Sequence, residues 1–234
     1  MSTNTYLKKL DYDPLPIDLK EKLIEFALEV HQKKIGIRII GSTYGSDVDH
    51  SVIVYVLHPK LTQRVQEHYS KFIDNHPTLS TSPGRGVTIQ IINGPLNGEE
   101  FATIHPHVDP DIRPGSLMYI LSPGGNDVKT TWYEQKDKKY DHKTEDGQES
   151  KIMYEVREYQ SDELVKLEEH TMQEDNWYVF NHSIVHGVTN IKSLRIILTC
   201  ALDYEKIASK QALSLTEEQV KKLFSDWSTL DCMK

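Results

Sequence analysis

The hydrophobic pattern changes character about a third of the way along the chain. In the first part, residues 17–32 place Leu19, Leu23, Ile24, Phe26, Ala27 and Val30 at helical spacing, with Pro14 and Pro16 just ahead. That spacing predicts an amphipathic helix. The β-branched segments Ile35–Ile40 and Ser51–Leu57 read as strands around the polar loop Gly41–His50, and residues 61–75 as a second helix ending before His76-Pro77. From about residue 86, short apolar or alternating runs recur at intervals of about ten residues, punctuated by Gly, Pro, Asn and Asp. They are Val87–Ile92, Phe101–Val108, Ser116–Leu121, Thr130–Tyr133, Ile152–Arg157, Trp177–Phe180, Ile184–Val188 and Leu194–Leu202. Many short strands in series predict a sandwich or jelly roll. Residues 134–150 are almost wholly polar and read as an exposed loop. Near the end, Ser214 and Glu217 form a capping box ahead of Leu223, Phe224 and Trp227, predicting a C-terminal helix over about 214–228.

The expected organisation is one β-rich (α+β) domain over 1–234: helical and strand support in 1–85, a jelly-roll core over about 86–204, and the C-terminal helix. Composition agrees with a globular chain: 38% of the 234 residues are hydrophobic and 26% charged. The mean hydropathy is −0.53, and no apolar run approaches a membrane span. The start of the chain lacks the apolar stretch of a signal peptide. With 27 basic and 35 acidic residues the net charge is −8, which disfavours a nucleic-acid partner. Two cysteines, Cys200 and Cys232, make no disulfide framework, so the expected setting is reducing and cytoplasmic.

Histidine is the unusual count, at 11. In Ile104-His105-Pro106-His107-Val108-Asp109, strand alternation would point His107 and Asp109 to one side, offering an imidazole and a carboxylate to a metal. Farther on, His186 lies in a β-branched strand and Arg195 opens another. An arginine starting a core strand is costly unless it meets an anion, and its planar fork suits a carboxylate. Two histidines and one carboxylate leave three metal positions open, the arrangement of non-heme Fe(II) oxygenases.

The ordered set His107, Asp109, His186 and Arg195 resembles the Fe(II)/2-oxoglutarate-dependent dioxygenase superfamily, and most closely its prolyl-hydroxylase-like branch, over residues 86–204. The resemblance implies a double-stranded β-helix, with His107, Asp109 and His186 as both catalytic centre and iron ligands. It implies Arg195, Tyr119 and Thr199 as contacts for 2-oxoglutarate, O2 as co-substrate and ascorbate as a candidate reductant. The implied reaction is hydroxylation of a protein, peptide or amino-acid C–H with release of succinate and CO2; hydroxylation of an N-methyl group, leading to demethylation, uses the same step. Asp109 favours hydroxylation, because the family's halogenases lack that carboxylate. Arg113, Trp132 and Tyr133 are candidate substrate contacts, and loop 134–150 a candidate lid.

Two other readings compete. A cupin-like site would use His105 with His107 on one strand face, Asp111 and His186, although it gives Arg195 no role. A non-enzymatic jelly-roll binding module would use Trp132 and Tyr133 as a ligand platform. The spacing of His182 and His186 suits a zinc-binding helix, but their neighbours favour strand and Gly187 follows at once.

Overall fold

The computed structural model describes residues 6–34, 38–40, 53–71, 87–95, 98–108, 115–136, 157–158, 161–182, 184–201, 221 and 224–233. Asp109, Asp111, Arg113, Ser214, loop Gly41–His50 and nearly all of 134–150 lie outside them.

The first strand, β1 (Leu7–Leu10), precedes helix α1 (Ile17–Lys33). Then come β2 (Arg38–Ile40), β3 (Ile53–Val56) and helix α2 (Pro59–Tyr69). Strands β4 (Val87–Ile92), β5 (Ala102–Val108), β6 (Gly115–Pro123), β7 (Lys129–Gln135) and β8 (Arg157–Glu158) follow. The series closes with β9 (Leu164–His170), β10 (Trp177–Asn181), β11 (His186–Ile191) and β12 (Arg195–Ala201). A first sheet has the order β1-β10-β6-β12-β4-β3-β2, and a second the order β8-β5-β11-β7-β9. Every recorded pairing is antiparallel. If β4, β5, β6, β7, β9, β10, β11 and β12 are counted as one to eight, the sheets run 1-8-3-6 and 2-7-4-5. This is the jelly roll, a double-stranded β-helix. Strands β1, β2 and β3 widen the first sheet, and β8 caps the second.

Two apolar cores follow from the two faces of the first sheet. The outer face offers Ile89, Ile91, Leu117, Tyr119, Leu121, Ile196 and Leu198 to the buried stripe Leu19, Leu23, Phe26, Ala27 and Val30 of α1. These helix positions recur every three to four residues, so one side of α1 is buried while Ile17 and Leu28 remain exposed. Trp227, closing the short helical turn 224–227, and Leu230 just beyond it complete this layer. The inner face presents Ile92, Met118, Ile120, Tyr178, Phe180 and Ile197 to Ala102, Ile104, Trp132, Val188 and Ile191 of the second sheet. Because helices cover one face and a sheet the other, the central strands read as continuous apolar runs. Among the described residues no helix is long and apolar enough to cross a membrane.

Candidate metal and anion site

The site is built where β5 and β11 pair. His186 stands directly opposite His107, and on its other side opposite Trp132 of β7. Directly paired residues project to the same face, and both histidines are buried, with ring centroids 4.5 Å apart. One more residue pair along, Val188 faces Ile104: two steps on β11 match three on β5. The extra residue is a β-bulge at His105-Pro106, where proline could not have donated to the ladder. Its consequence is a reversal of parity. Ala102, Ile104 and His107 are buried, while His105 is exposed. His105 therefore does not share the face of His107, which corrects the strand alternation assumed from sequence and removes the cupin-like histidine pair. Gly187 makes room for the bulge, since a Cβ there would meet the Ile104 carbonyl oxygen at 3.0 Å and Pro106 N at 3.2 Å.

The two imidazoles are held in the same way. Nδ1 of His107 donates to the carbonyl of His105, and Nδ1 of His186 to that of Ile184, each at 2.8 Å. A carbonyl only accepts, so each Nδ1 carries a hydrogen, which in the neutral tautomer leaves the ring lone pair on Nε2. This is how ligating histidines are oriented in metal sites. Phe180, from the facing sheet, lies edge-on to His186 at 4.9 Å and fixes its ring plane. His182 is also buried: its Nε2 is 2.6 Å from Ser116 Oγ, and its ring is 5.8 Å from that of His186. Strand β10 ends at Asn181 and β11 begins at His186, so the four-residue spacing of these histidines is not helical.

Arg195 enters from the opposite sheet. It is 1% exposed, and its Nη1 donates to the Pro123 carbonyl at 3.0 Å. Its Nε and Nη2 are buried with no hydrogen-bond partner. Burial lowers its pKa to about 10, so it stays charged at neutral pH. Gly124, at φ +80°, fits against it: a Cβ there would stand 2.9 Å from the Arg195 Cβ. Thr199 lies on the same inner face of β12, with its hydroxyl 2.6 Å from that of Thr88 on β4.

Tyr119 does not join this group. It sits on the outer face under α1, donating to Asp175 Oδ1 at 2.9 Å and accepting from Leu15 N at 3.2 Å. Burial, with the Asp175 bond second, raises its pKa. Tyr178 lies on the inner face instead, and Tyr6 packs against the same core. Trp132 is fully buried against Phe180 and is no surface platform; Tyr133 packs on the other side of its strand with Leu164 and Val185. Among the described residues no group of three His, Cys, Asp or Glu side chains gathers around one point.

The pieces fit the groups suggested by the sequence. The histidine pair supplies two oriented nitrogen donors, and the unanswered guanidinium nitrogens call for an anion.

No protein-family model matches the sequence, and no curated protein does. Solved structures match the fold. One is a prolyl hydroxylase in complex with a hypoxia inducible factor oxygen degradation domain peptide fragment, from Trichoplax adhaerens: TM-score 0.52, 12% identity, covering 89% of this chain and 88% of that one. Another is AviO1 from Streptomyces viridochromogenes Tue57, with a TM-score of 0.40, 11% identity and coverage of 84% and 90%. A prolyl 4-hydroxylase from Phytophthora capsici has a TM-score of 0.36 and 13% identity, over 92% of this chain and 65% of that one. At these identities the likeness bears on fold alone.

Proposed function

We propose that the chain is an Fe(II)- and 2-oxoglutarate-dependent dioxygenase that hydroxylates a C–H of a protein, peptide or amino acid, within a single domain over 1–234. The observation that carries the reading is Arg195, a buried charge with two unpartnered nitrogens on the face opposite a pair of oriented histidines. A buried, unpaired charge costs several kcal/mol, and a dicarboxylate spanning the two sheets removes that cost. The chemistry such a centre supplies is conversion of a C–H to C–OH, coupled to conversion of 2-oxoglutarate and O2 to succinate and CO2.

The chain's own residues have separable tasks. His107 and His186 offer their Nε2 atoms to the metal, with Asp109 as the third ligand. Arg195 grips the distal carboxylate of 2-oxoglutarate through Nε and Nη2. Thr199 lines the same inner face. Phe180 and Trp132 are apolar walls beside His186 that keep water from it. Arg113 and loop 134–150 are proposed as rim elements that meet the substrate. The peptide bound to the Trichoplax adhaerens prolyl hydroxylase supports a peptide or protein substrate here.

The test is succinate production with Fe(II), with candidate peptides and amino acids screened by mass spectrometry for a gain of one oxygen. His107→Ala and Asp109→Ala are expected to abolish metal-dependent turnover. Undiminished succinate formation in both variants overturns the assignment.

A further inference from the structure

We infer that Ser116 and His182 form a positioning clamp for the metal site: their hydrogen bond holds the connection whose Ile184 carbonyl aims the His186 ring. The inference rests on the dioxygenase reading above and gives a task to a buried polar pair which that reading leaves unused.

Position comes first. Ser116 stands two residues before Met118, on the inner face of β6, and pairs directly with Phe180 of β10. His182 follows the last residue of β10. Both side chains are buried, and Ser116 Oγ lies 2.6 Å from His182 Nε2. The His182 ring is 4.6 Å from that of Phe180 and 5.8 Å from that of His186, and Phe180 is 4.9 Å from His186. The three rings pack as one group, so the place of His182 bears on the plane of His186.

Connection comes second. The chain between Asn181 and His186 crosses from the first sheet to the second. Near its far end, the Val185 carbonyl accepts the N–H of Tyr133 on β7 at 2.9 Å, a bond between backbones. Near its start, the tie to β6 is made by the side chains of His182 and Ser116. Between these two ties, the Ile184 carbonyl accepts Nδ1–H of His186 at 2.8 Å. A carbonyl orients a ligating imidazole only as firmly as its own backbone is held. Ser116 also lies just beyond the segment that bears Asp109. The clamp thus joins the strand leading away from one proposed ligand to the connection leading into another.

Energetics comes third. Replacing both members of a buried hydrogen bond by apolar groups of similar shape is nearly neutral for stability. An apolar pair could therefore fill this place in the inner layer, and stability alone does not call for a serine and a histidine. A directional bond between two defined atoms does.

Co(II) in place of iron reads metal binding from the visible spectrum, without turnover, in the full chain. Wild type is expected to bind a Co(II) ion that His107→Ala loses. Ser116→Ala is expected to weaken this binding by about tenfold. His182→Gln, whose amide nitrogen reaches the place of Nε2, is expected to stay close to wild type. The double variant Ser116→Ala/His182→Phe keeps a ring beside Phe180 and leaves no polar atom without its partner. It is expected to melt at the wild-type temperature yet bind Co(II) as weakly as Ser116→Ala, and it decides the question even where Ser116→Ala fails to fold. If the double variant binds as tightly as wild type, or His182→Gln is as weak as Ser116→Ala, the clamp is wrong while the dioxygenase reading stands. If wild type shows no Co(II) binding that depends on His107, the metal reading fails, and the clamp with it.

Discussion

Arg195 makes one residue the focus of opposing demands. Without an anion beside it this charge is a liability, because one carbonyl answers only one of its buried nitrogens. Replacing an unpaired buried charge by an apolar side chain of similar length is often neutral or stabilising. Arg195→Met is therefore expected to leave the ligand-free protein as stable as wild type, or more stable by about 1–2 kcal/mol. That corresponds to roughly 2–8 °C in Tm for a chain of this size. The same variant is expected to lose the thermal stabilisation that 2-oxoglutarate gives to wild type. Calorimetric melting with and without the acid reads both effects, and a ligand-free loss of several kcal/mol would show that the guanidinium was already satisfied. The sequence disclosed this residue because a charge opening an apolar strand is conspicuous. It could not disclose that Tyr119 points away from it. In Ser-Leu-Met-Tyr-Ile-Leu every position is apolar or buried, since the first sheet is covered on both faces. No polar alternation says whether Met118 or Tyr119 points inward, and the fold turns Tyr119 towards α1.

At the scale of elements, the strands flanked on both sides, such as Ile53–Val56 and Val87–Ile92, were legible as apolar runs. Those missed were edge strands. β1 carries two lysines in four residues, and β9 is mostly exposed, with its alternation broken by a bulge near Leu167. Charges and bulges of this kind blunt a sheet edge and also erase the pattern by which a strand is read. The bulge in β5 had the opposite effect, misdirecting His105 although Pro106 inside a strand is a signal for one. Its counterpart is Gly187. A methyl group there would press on backbone atoms at 3.0–3.4 Å, so Gly187→Ala is expected to cost about 1–3 kcal/mol and to shift His107. Weaker Co(II) binding, read from the visible spectrum, with retained secondary structure is the anticipated signature; unchanged metal affinity would mean that the bulge does not set the ligand position. A different element is governed by pH. Glu29 on α1 accepts from the backbone N–H groups of Asp231 and Cys232 and from Lys33. Burial alone would raise its pKa, but the Lys33 bond and those two N–H groups outweigh this and hold it near 2. Because the folded value lies below the unfolded one, the contribution is present above about pH 4.5 and is lost as pH falls towards 2. Amide protection at residues 231–233, taken relative to the intrinsic exchange rate at each pH, is expected to fall over that window, and Glu29→Gln to flatten the dependence.

Across the whole molecule, the proposed site joins two sheets with different support. The first sheet is backed by α1 and α2 and carries Arg195. The second carries the histidine pair, and the outer side of its edge strand β9 is largely open to solvent. A ligand that touches metal at one end and Arg195 at the other therefore ties together two sheets that meet largely through the apolar layer between them. Each binding event stabilises the fold by RT ln(1 + [L]/Kd), and a shared ligand makes the second event stronger than it is alone. Melting in the presence of Mn(II), of 2-oxoglutarate and of both is expected to show a joint Tm shift larger than the two separate shifts added. At a ligand concentration about a hundredfold above Kd, the gain is about 2.7 kcal/mol, or roughly 5–11 °C at this chain length. Succinate lacks the 2-oxo group that would chelate the metal but keeps the carboxylate that Arg195 would hold, so its effect should not depend on Mn(II). His107→Ala should remove the extra shift while leaving that of succinate intact. Strictly additive shifts in wild type would mean that metal and acid occupy unconnected places, and that the two sheets do not share one ligand.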